Sequence, residues 1–194
     1  MRISALLLLG YLLGGINLSI PLTRLLYGQD IRKVGSGNPG TANMLHSFGA
    51  APAAAVLIFD ICKVFLPVRL LSVHAENGLW LPVFVGLAGI AGHIWSVFLH
   101  FHGGKGVACA FGAALALCPQ CAVILLGICA VLLFGTRSVS ISAVAASAYA
   151  IPVFLSFALS DGMKVLPYLV FSLGLFALLY VRHLPQLRRK HIQR

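Results

Sequence analysis

Apolar runs of about 20 residues follow one another along almost the whole chain, and they constrain the fold more than any other feature. They fall at about 3–26, 50–73, 79–99, 107–135, 139–160 and 163–182. A helical run of about this length spans the hydrocarbon core of a bilayer. The runs do not alternate polar with apolar positions, as the strands of a membrane β-barrel would. The sequence therefore predicts an all-α polytopic membrane protein.

The fourth run is longer than one span needs and contains Pro119. Because Pro removes a backbone hydrogen bond and kinks or ends a helix, we predict two short helices that are split at Pro119. The first run lacks a small-residue cleavage site and is interpreted as a span, not a signal peptide. The prediction is seven transmembrane segments in a single domain over residues 1–194.

Basic residues predict the orientation of these segments. In membrane proteins Lys and Arg accumulate in cytoplasmic loops. With seven spans, four of the 14 Lys and Arg lie on one side, and ten lie on the other. The ten are Arg24, Arg32, Lys33, Lys105, Arg137, Arg182, Arg188, Arg189, Lys190 and Arg194. We therefore expect the N-terminus outside and the C-terminus in the cytoplasm.

Composition excludes several kinds of site. The chain has only four acidic residues, too few for most mechanisms that use paired carboxylates or for a Mg²⁺ cluster. Its net charge of +10 comes without the basic, aromatic surface that binds nucleic acid. Cys118 and Cys121 have the spacing of a zinc motif, but no second pair or suitable His accompanies them. We expect no metal, no cofactor and no nucleic acid.

Three polar loops, at 30–49, 100–106 and 135–142, would share the cytoplasmic face. The first contains Gly35-Ser36-Gly37-Asn38-Pro39-Gly40-Thr41 and, just after it, Asn43. Gly residues let successive amides point into one concavity that suits a phosphate. These residue types also form ordinary turns, and this loop alone does not decide between the two.

The second loop, His102-Gly103-Gly104-Lys105-Gly106, directly precedes an apolar run. A cation, glycine amides and the start of a helix together favour an anion. A basic loop that only sets topology would explain Lys105 but not the three Gly around it.

Other polar residues supply weaker signals. The third loop carries Arg137 with Ser138, Ser140 and Ser142, which would also suit a solvated helix cap. His93 lies within an apolar run, where a polar ring is either functional or bonded to a backbone carbonyl. Asp60 and Lys63 are spaced i, i+3 and predict a pair on one helix face.

These motifs resemble those of the bacterial acyl-phosphate:glycerol-3-phosphate 1-acyltransferases, seven-helix enzymes of the inner membrane. "GSGNPGTAN" is similar to the first family motif, "GHIWSVFLHFHGGKGVA" to the second, "RSVSIS" to the third, and "DICK" to an Asp-x-x-Lys in the second helix. The resemblance implies transfer of an acyl group from acyl phosphate to the 1-hydroxyl of glycerol 3-phosphate. The product would be lysophosphatidic acid, made for phospholipid synthesis at the cytoplasmic face of the membrane.

The resemblance also implies the site residues. Those with catalytic roles are Ser36, His93, Lys105 and Ser140. Those that bind substrate are Gly37, Asn38, Gly40, Thr41, Asn43, His46, Gly103, Gly104, Gly106, Arg137, Ser142, His183 and Gln186. The amides of Gly103, Gly104 and Gly106 are expected on one phosphate with Lys105, and Arg137 and His183 on a second anion. The general base is either His93 or the substrate's own phosphate.

The chain is a divergent member of this pattern. His46, His100 and His102 stand where the family usually carries permanent cations. Two alternatives therefore stay open: a catalytically weak relative that binds phospholipid precursors, and a transporter of a phosphorylated solute. The expected partners are acyl phosphate, glycerol 3-phosphate and membrane lipid; the oligomeric state stays open, and a monomer is favoured.

Overall fold

A computed structural model describes residues 3–74, 78–160 and 165–192, with the backbone alone for 188–192. These described residues form α-helices and two short 3₁₀ turns, Ile31–Lys33 and Val97–Leu99, without a β-strand. The helices are α1 (Ile3–Gly15), α2 (Ser19–Tyr27), α3 (Thr41–Phe48), α4 (Ala50–Val73), α5 (Trp80–Ile94), α6 (Val107–Leu117), α7 (Pro119–Thr136), α8 (Val139–Ala148), α9 (Ala150–Ser160) and α10 (Val165–Ile192). The predicted all-α class is therefore confirmed for the described part of the chain.

Five helical stretches among these residues are long and apolar enough to cross a membrane. They are Ile3–Tyr27, Trp80–Leu99, Pro119–Thr136, Val139–Ser160 and Val165–Leu187. The other two of the seven expected segments are α4, with 24 residues, and the short apolar helix α6, with 11. Some of the basic residues that predicted the orientation, namely Arg2, Lys164, Arg188, Arg189, Lys190 and Arg194, lie outside the residues whose side chains are described.

The break predicted at Pro119 is present. Helix α6 ends at Leu117, and α7 begins at Pro119. Cys118 between them is extended, and its sulfur accepts a hydrogen bond from the amide of Cys121. Pro is well tolerated in the first turn of a helix, where its missing N–H would have no partner. Pro119 therefore starts the new helix.

Two further apolar runs are divided in a way that the sequence pattern did not predict. The first run bends after Gly15, because the Asn17 side chain accepts from Ser19 Oγ and Ile20 N and so starts α2. The fifth run breaks at Tyr149. Pro152 cannot donate to the carbonyl four residues earlier and its ring clashes there, so α9 starts as a separate helix.

Glycines allow two pairs of helices to pack closely. A Cβ at Gly14 of α1 would overlap the backbone of Gly89 in α5, and one at Gly112 of α6 would overlap Ile61 O in α4. Small residues at such contacts let membrane helices approach until their backbones touch. Helices α1, α4, α5 and α6 are thereby held together around one group of polar side chains.

The packed interior has two parts. The larger cluster joins α4–α7, α9 and α10, and includes the ring of Phe154 5.3 Å from that of Phe171. The smaller one contains Ile31, Met44 and Val56, all fully buried, and lies beside the 30–49 loop. Leu99 packs against this smaller cluster. It thus connects the first polar loop with the segment that precedes the second.

Candidate active site

The first polar loop is organised by Asn43. Its amide nitrogen donates to the carbonyls of Ile31 (3.3 Å) and Val34 (2.9 Å), and its oxygen accepts from the amide of Ser36 at 2.9 Å. The sequence identified Asn43 as a substrate donor. In the structure both polar atoms of its side-chain amide are hydrogen-bonded to the loop backbone, so Asn43 fixes the conformation of the loop.

Asp30 fixes the start of the same loop. Its carboxylate accepts from Arg24 at 2.7 Å and from Arg32 at 2.6 Å. The hydrogen bond from the Arg32 side chain holds the pKa of Asp30 well below its usual range. The carboxylate therefore stays charged at neutral pH and keeps both guanidinium groups beside the loop.

Other residues predicted in this loop differ in their exposure. Ser36 and His46 are exposed, Gly37 (φ +71°) and Asn38 are half-buried, and Gly40 is buried. The Oγ1 atom of Thr41 is buried and has no hydrogen-bond partner. A buried polar atom without a partner costs free energy, so Thr41 offers a free group to a bound molecule.

Asn17 connects this loop to the membrane helices, and sequence analysis did not identify it. Its amide donates to Pro39 O at 2.9 Å, 22 residues later. The neighbouring carbonyl of Ile16 accepts from Lys63 at 2.7 Å. The only sequence signal was a single Asn within an apolar run. The bend between α1 and α2 thus links the first loop to the polar residues inside the helices.

Inside the helices, Asp60 and Lys63 of α4 form the predicted pair, 2.7 Å apart and nearly fully buried. Lys63 also lies 3.0 Å from Nδ1 of His93. Nδ1 therefore contacts a side chain. It does not bond to a backbone carbonyl, which was the alternative to a functional role for His93. The Sγ of Cys109 donates to Asp60 O at 3.2 Å and ties α6 to the same group.

The donor atoms of Asp60, His93 and Cys109 lie within 4.8 Å of one another, as in a metal site. The ammonium group of Lys63 already contacts both Asp60 and His93. A divalent cation there would face a positive charge at close range, so this arrangement is better described as a buried ion pair with a histidine.

The second polar loop folds back onto the end of α5. The amide of Gly103 donates to Ile94 O (3.0 Å) and that of Gly104 to His93 O (3.1 Å). A Cβ at Gly103 would overlap His93 O, and one at Gly104 would overlap the His93 ring. These two amides were expected to bind phosphate. Instead they hold the loop in place, and the glycines are required because His93 lies against them.

Arg182 of α10 clamps this loop from the other side. Its Nε donates to Gly104 O at 2.9 Å, and its Nη2 donates to Gly103 O at 2.8 Å. In the sequence Arg182 contributed only to the orientation of the protein. The two donors of its planar guanidinium group position the loop. No motif indicated this role, although Arg182 directly precedes His183.

With the loop held by Arg182, the Lys105 side chain lies beside α8 and α10. Lys105 Nζ donates to Ser140 Oγ at 3.1 Å, and Ser140 donates to Gln186 Oε1 at 2.5 Å. Burial lowers the pKa of Lys105, and the nearby charge of Arg182 lowers it further. Three of the predicted residues, from distant parts of the chain, therefore meet in one cluster. The φ of +82° at Gly106 lets the chain turn from Lys105 into α6.

His183 is fully buried on the same turn of α10 as Arg182. Its Nδ1 donates to Leu179 O at 2.8 Å, which leaves the lone pair of a neutral ring on Nε2. This atom is buried without a hydrogen-bond partner. An acceptor of this kind suits a hydroxyl group, whereas the sequence had assigned His183 to an anion.

The third polar loop contributes less than expected. Ser142 is fully buried, and its Oγ pairs with Thr136 Oγ1 at 2.8 Å. Arg137 is exposed and has a φ of +49°. Of this loop's predicted residues, Ser140 is the one that contacts Lys105.

An apolar cleft with a volume of about 80 Å³ opens beside the cluster. Val107 and Ala110 of α6, Leu125 of α7, Ala146 of α8 and Leu179 of α10 are among the residues that line it. Val107 follows the Lys105 loop, and Leu179 bonds to His183. The cleft therefore joins the polar cluster and suits a hydrocarbon chain.

This chain is similar in sequence and in fold to proteins that are described as glycerol-3-phosphate acyltransferases. The family model described as glycerol-3-phosphate acyltransferase matches residues 4–191. A protein of that name from Azotobacter vinelandii is 40% identical over 146 residues, 75% of this chain and 77% of its own. One from Rubrobacter xylanophilus is 37% identical over 178 residues, 92% of this chain and 86% of its own.

Two solved structures share the fold. Both are crystal structures of PlsY, described as an integral membrane glycerol 3-phosphate acyltransferase. The glycerol 3-phosphate form superposes with a TM-score of 0.86 at 32% identity, and covers 99% of this chain and 93% of PlsY. The lysophosphatidic acid form gives 0.85 at 29% identity over the same shares. With its apolar helices and a match from residue 4 to 191, this chain belongs to the glycerol-3-phosphate acyltransferase family and is an integral membrane acyltransferase.

Proposed function

We propose that this protein transfers an acyl group from acyl phosphate to the 1-hydroxyl of glycerol 3-phosphate and releases lysophosphatidic acid and inorganic phosphate. The observation that carries this proposal is the cluster of Lys105, Ser140 and Gln186 beside an apolar cleft. Cation and hydroxyl suit a phosphate, and the cleft suits the acyl chain. The similar PlsY structures, described as glycerol 3-phosphate and lysophosphatidic acid forms, support the acceptor and the product.

The reaction needs no enzyme nucleophile, because acyl phosphate is a mixed anhydride and already activated. The 1-hydroxyl oxygen attacks the acyl carbon, and the bond from that carbon to the phosphate oxygen breaks. The electron pair leaves with phosphate, and the hydroxyl proton is lost to a base. Preorganised donors that stabilise the developing charge are each worth roughly 10²–10³ in rate. We assign this task to Lys105 with Ser140.

Two buried atoms without a hydrogen-bond partner support the binding mode that we propose for the acceptor. Thr41 Oγ1 lies in the first loop, and His183 Nε2 lies beside the Lys105 cluster. We assign His183 to a hydroxyl of the glycerol moiety and Thr41, with Ser36 and Asn38, to its phosphate. Binding would satisfy both atoms, which favours glycerol 3-phosphate over a molecule without hydroxyl groups. His46 and Arg137, both exposed, complete the entrance in this proposal.

We further propose seven membrane spans, the five apolar stretches together with α4 and α6. The excess of Lys and Arg on one side would place the three polar loops in the cytoplasm and the N-terminus outside. The acyl chain would enter the cleft sideways from the inner leaflet of the bacterial inner membrane. This orientation puts the polar cluster where a soluble acceptor is available.

The decisive experiment is an acyl-transfer assay on the protein purified in detergent. Acyl phosphate, acyl-CoA and acylated acyl-carrier protein are offered separately as donors with glycerol 3-phosphate, and lysophosphatidic acid is measured. We expect product from acyl phosphate alone. Product from a thioester donor would refute the proposed donor. Binding of glycerol 3-phosphate without turnover would favour the catalytically weak relative instead.

A further inference from the structure

The ammonium group of Lys63 lies among three partners. Its Nζ is 2.7 Å from Asp60 Oδ1, 2.7 Å from Ile16 O and 3.0 Å from His93 Nδ1. The side chain is only 4% exposed and that of Asp60 only 2%. An ammonium group has three N–H donors and no acceptor. Each of the three partners must therefore accept one hydrogen bond from it.

This requirement determines where the proton of His93 lies. A nitrogen that accepts a hydrogen bond carries a lone pair, so His93 Nδ1 has no proton. The neutral ring then carries its proton on Nε2. An imidazolium would direct an N–H group against the N–H group of Lys63, which the 3.0 Å separation does not allow.

The other edge of the ring faces the second polar loop. A Cβ added to Gly104 would overlap with Nε2 of His93. The amide of Gly104 donates to the His93 carbonyl, and Arg182 fixes the Gly104 carbonyl. The loop that carries Lys105 is thus held against the nitrogen that bears the proton.

We propose that Asp60 and Lys63 are positioning residues, which hold His93 in the neutral form protonated on Nε2 so that it donates a hydrogen bond towards the Lys105 loop. Its role in acyl transfer rests on the function proposed above. His93 would donate to a phosphate or carbonyl oxygen of the substrate and keep its proton throughout. This excludes His93 as the base, because Nε2 has no lone pair for the hydroxyl proton in this form.

Asp60 is needed because Lys63 is buried. A buried charge without a counter-charge is strongly unfavourable, and the Asp60 carboxylate supplies that counter-charge 2.7 Å from Lys63 Nζ. Cys109 Sγ and the close contact of Gly112 with Ile61 hold α6 against this part of α4. The pair is therefore fixed in place and can transmit its geometry to His93.

The direct test is ¹⁵N NMR of the full-length protein in detergent, with ¹⁵N-labelled histidine. Tautomers differ in their ring-nitrogen shifts, and the His93 signals are assigned by their loss in His93→Gln. We expect His93 protonated on Nε2 in the wild type. In Lys63→Met we expect the population of this tautomer to fall. A His93 ring protonated on Nδ1 in the wild type would overturn the proposal.

Activity supplies the second measurement. The Lys63→Met variant loses the hydrogen bond from the charged Lys63 to His93. We expect this loss to lower kcat at least about tenfold, with a much smaller change in KM for glycerol 3-phosphate. Arg69→Met is the matched control, because it removes an exposed cation from the same helix and should change neither measurement. Unchanged tautomer and kcat in Lys63→Met would contradict the proposal.

Removing Lys63 alone leaves a buried carboxylate and could prevent folding. The double variant Asp60→Leu/Lys63→Met removes both charges and is expected to fold while it loses the tautomer preference. If neither variant folds, the wild-type spectrum alone decides. The spectrum needs no substrate, so it remains decisive even if the wild type transfers no acyl group and the proposed function fails.

Discussion

Lys105 and Ser140 meet at 3.1 Å although 35 residues separate them in the chain. Ser140 in turn donates to Gln186, a further 46 residues on. The contact therefore joins the loop before α6, the first turn of α8 and the end of the membrane part of α10. A substrate held here would contact three elements at once, so small changes in one residue should be measurable in activity.

Replacing Lys105 should be costly. A charge-assisted hydrogen bond to an anion contributes about 1.5–3 kcal/mol, so Lys105→Ala should lower kcat/KM for acyl phosphate at least about tenfold. Arg69→Ala removes an equal charge from an exposed position on α4 and serves as the control. Equal, mild effects of the two changes would mean that Lys105 only sets topology. Steady-state kinetics on purified variants measures the difference.

Activity should decline at high pH because of Lys105. Burial lowers the pKa of this group from its ordinary value, so its proton leaves at a lower pH than that of an exposed lysine, about 10.4. As pH rises through that pKa, Lys105 loses the positive charge that stabilises the bound anion, and kcat/KM should fall. Lys105→Arg stays charged in this range and should lack the alkaline decline. An alkaline decline that is the same in the wild type and in Lys105→Arg would refute the role. Acyl phosphate without enzyme corrects for its own hydrolysis.

Gly104 should not tolerate a methyl group. In Gly104→Ala the new Cβ would overlap the buried His93 ring, so the loop must move away from His93. Because this loop carries Lys105, its displacement should weaken the stabilisation of the developing charge. Loss of an oxyanion donor costs roughly 10²–10³ in rate, so we expect kcat to fall at least about tenfold. Gly127→Ala is the control, since nothing lies within 4 Å of a Cβ there, and it should keep full activity. Normal kcat in Gly104→Ala would show that the loop has room to adjust.

The cleft should set acyl-chain length. Ala146 lines it and is 6% exposed, so Ala146→Leu fills part of the space. We expect kcat/KM to fall roughly tenfold for long-chain acyl phosphates and to change little for short ones. Ala148→Leu, at an exposed position on α8, should leave the preference unchanged. A uniform loss across chain lengths would mean that the chain binds elsewhere.

Single cysteines can test the orientation. On a background without the five native Cys, Ser36→Cys and Ser138→Cys should react with a membrane-impermeant thiol reagent only from the cytoplasmic side. Gly78→Cys should react only from outside. Labelling of position 36 or 138 from outside would contradict both the seven-span proposal and the shared cytoplasmic site.

The helices were largely predictable, because apolar length and Pro are local properties. The split at Pro119 followed from one residue. The bends at Asn17 and Tyr149 did not, although each has a local cause. An Asn that caps a helix inside an apolar run resembles a span residue until its hydrogen bonds are known.

The candidate site was predictable in part. Lys105, Ser140 and Gln186 were named from motifs, and the structure brings them together. The roles of Gly103 and Gly104 were not predictable, because whether an amide is free depends on which carbonyl packs against it. Arg182 was missed for the same reason, since its partners are backbone oxygens 78 and 79 residues away.

By itself, the sequence determined the membrane class, the helix break at Pro119 and most of the polar residues that could form a site, because hydropathy and backbone chemistry act locally. Only the tertiary structure decided which of those polar groups are free. Asn43 and the amides of Gly103 and Gly104 are used internally, whereas His183 Nε2 and Thr41 Oγ1 are not. The physical reason is that a hydrogen-bonding group in a buried site acts through whichever partner lies within about 3 Å, and the folding of the loops and the packing of the helices together set that distance.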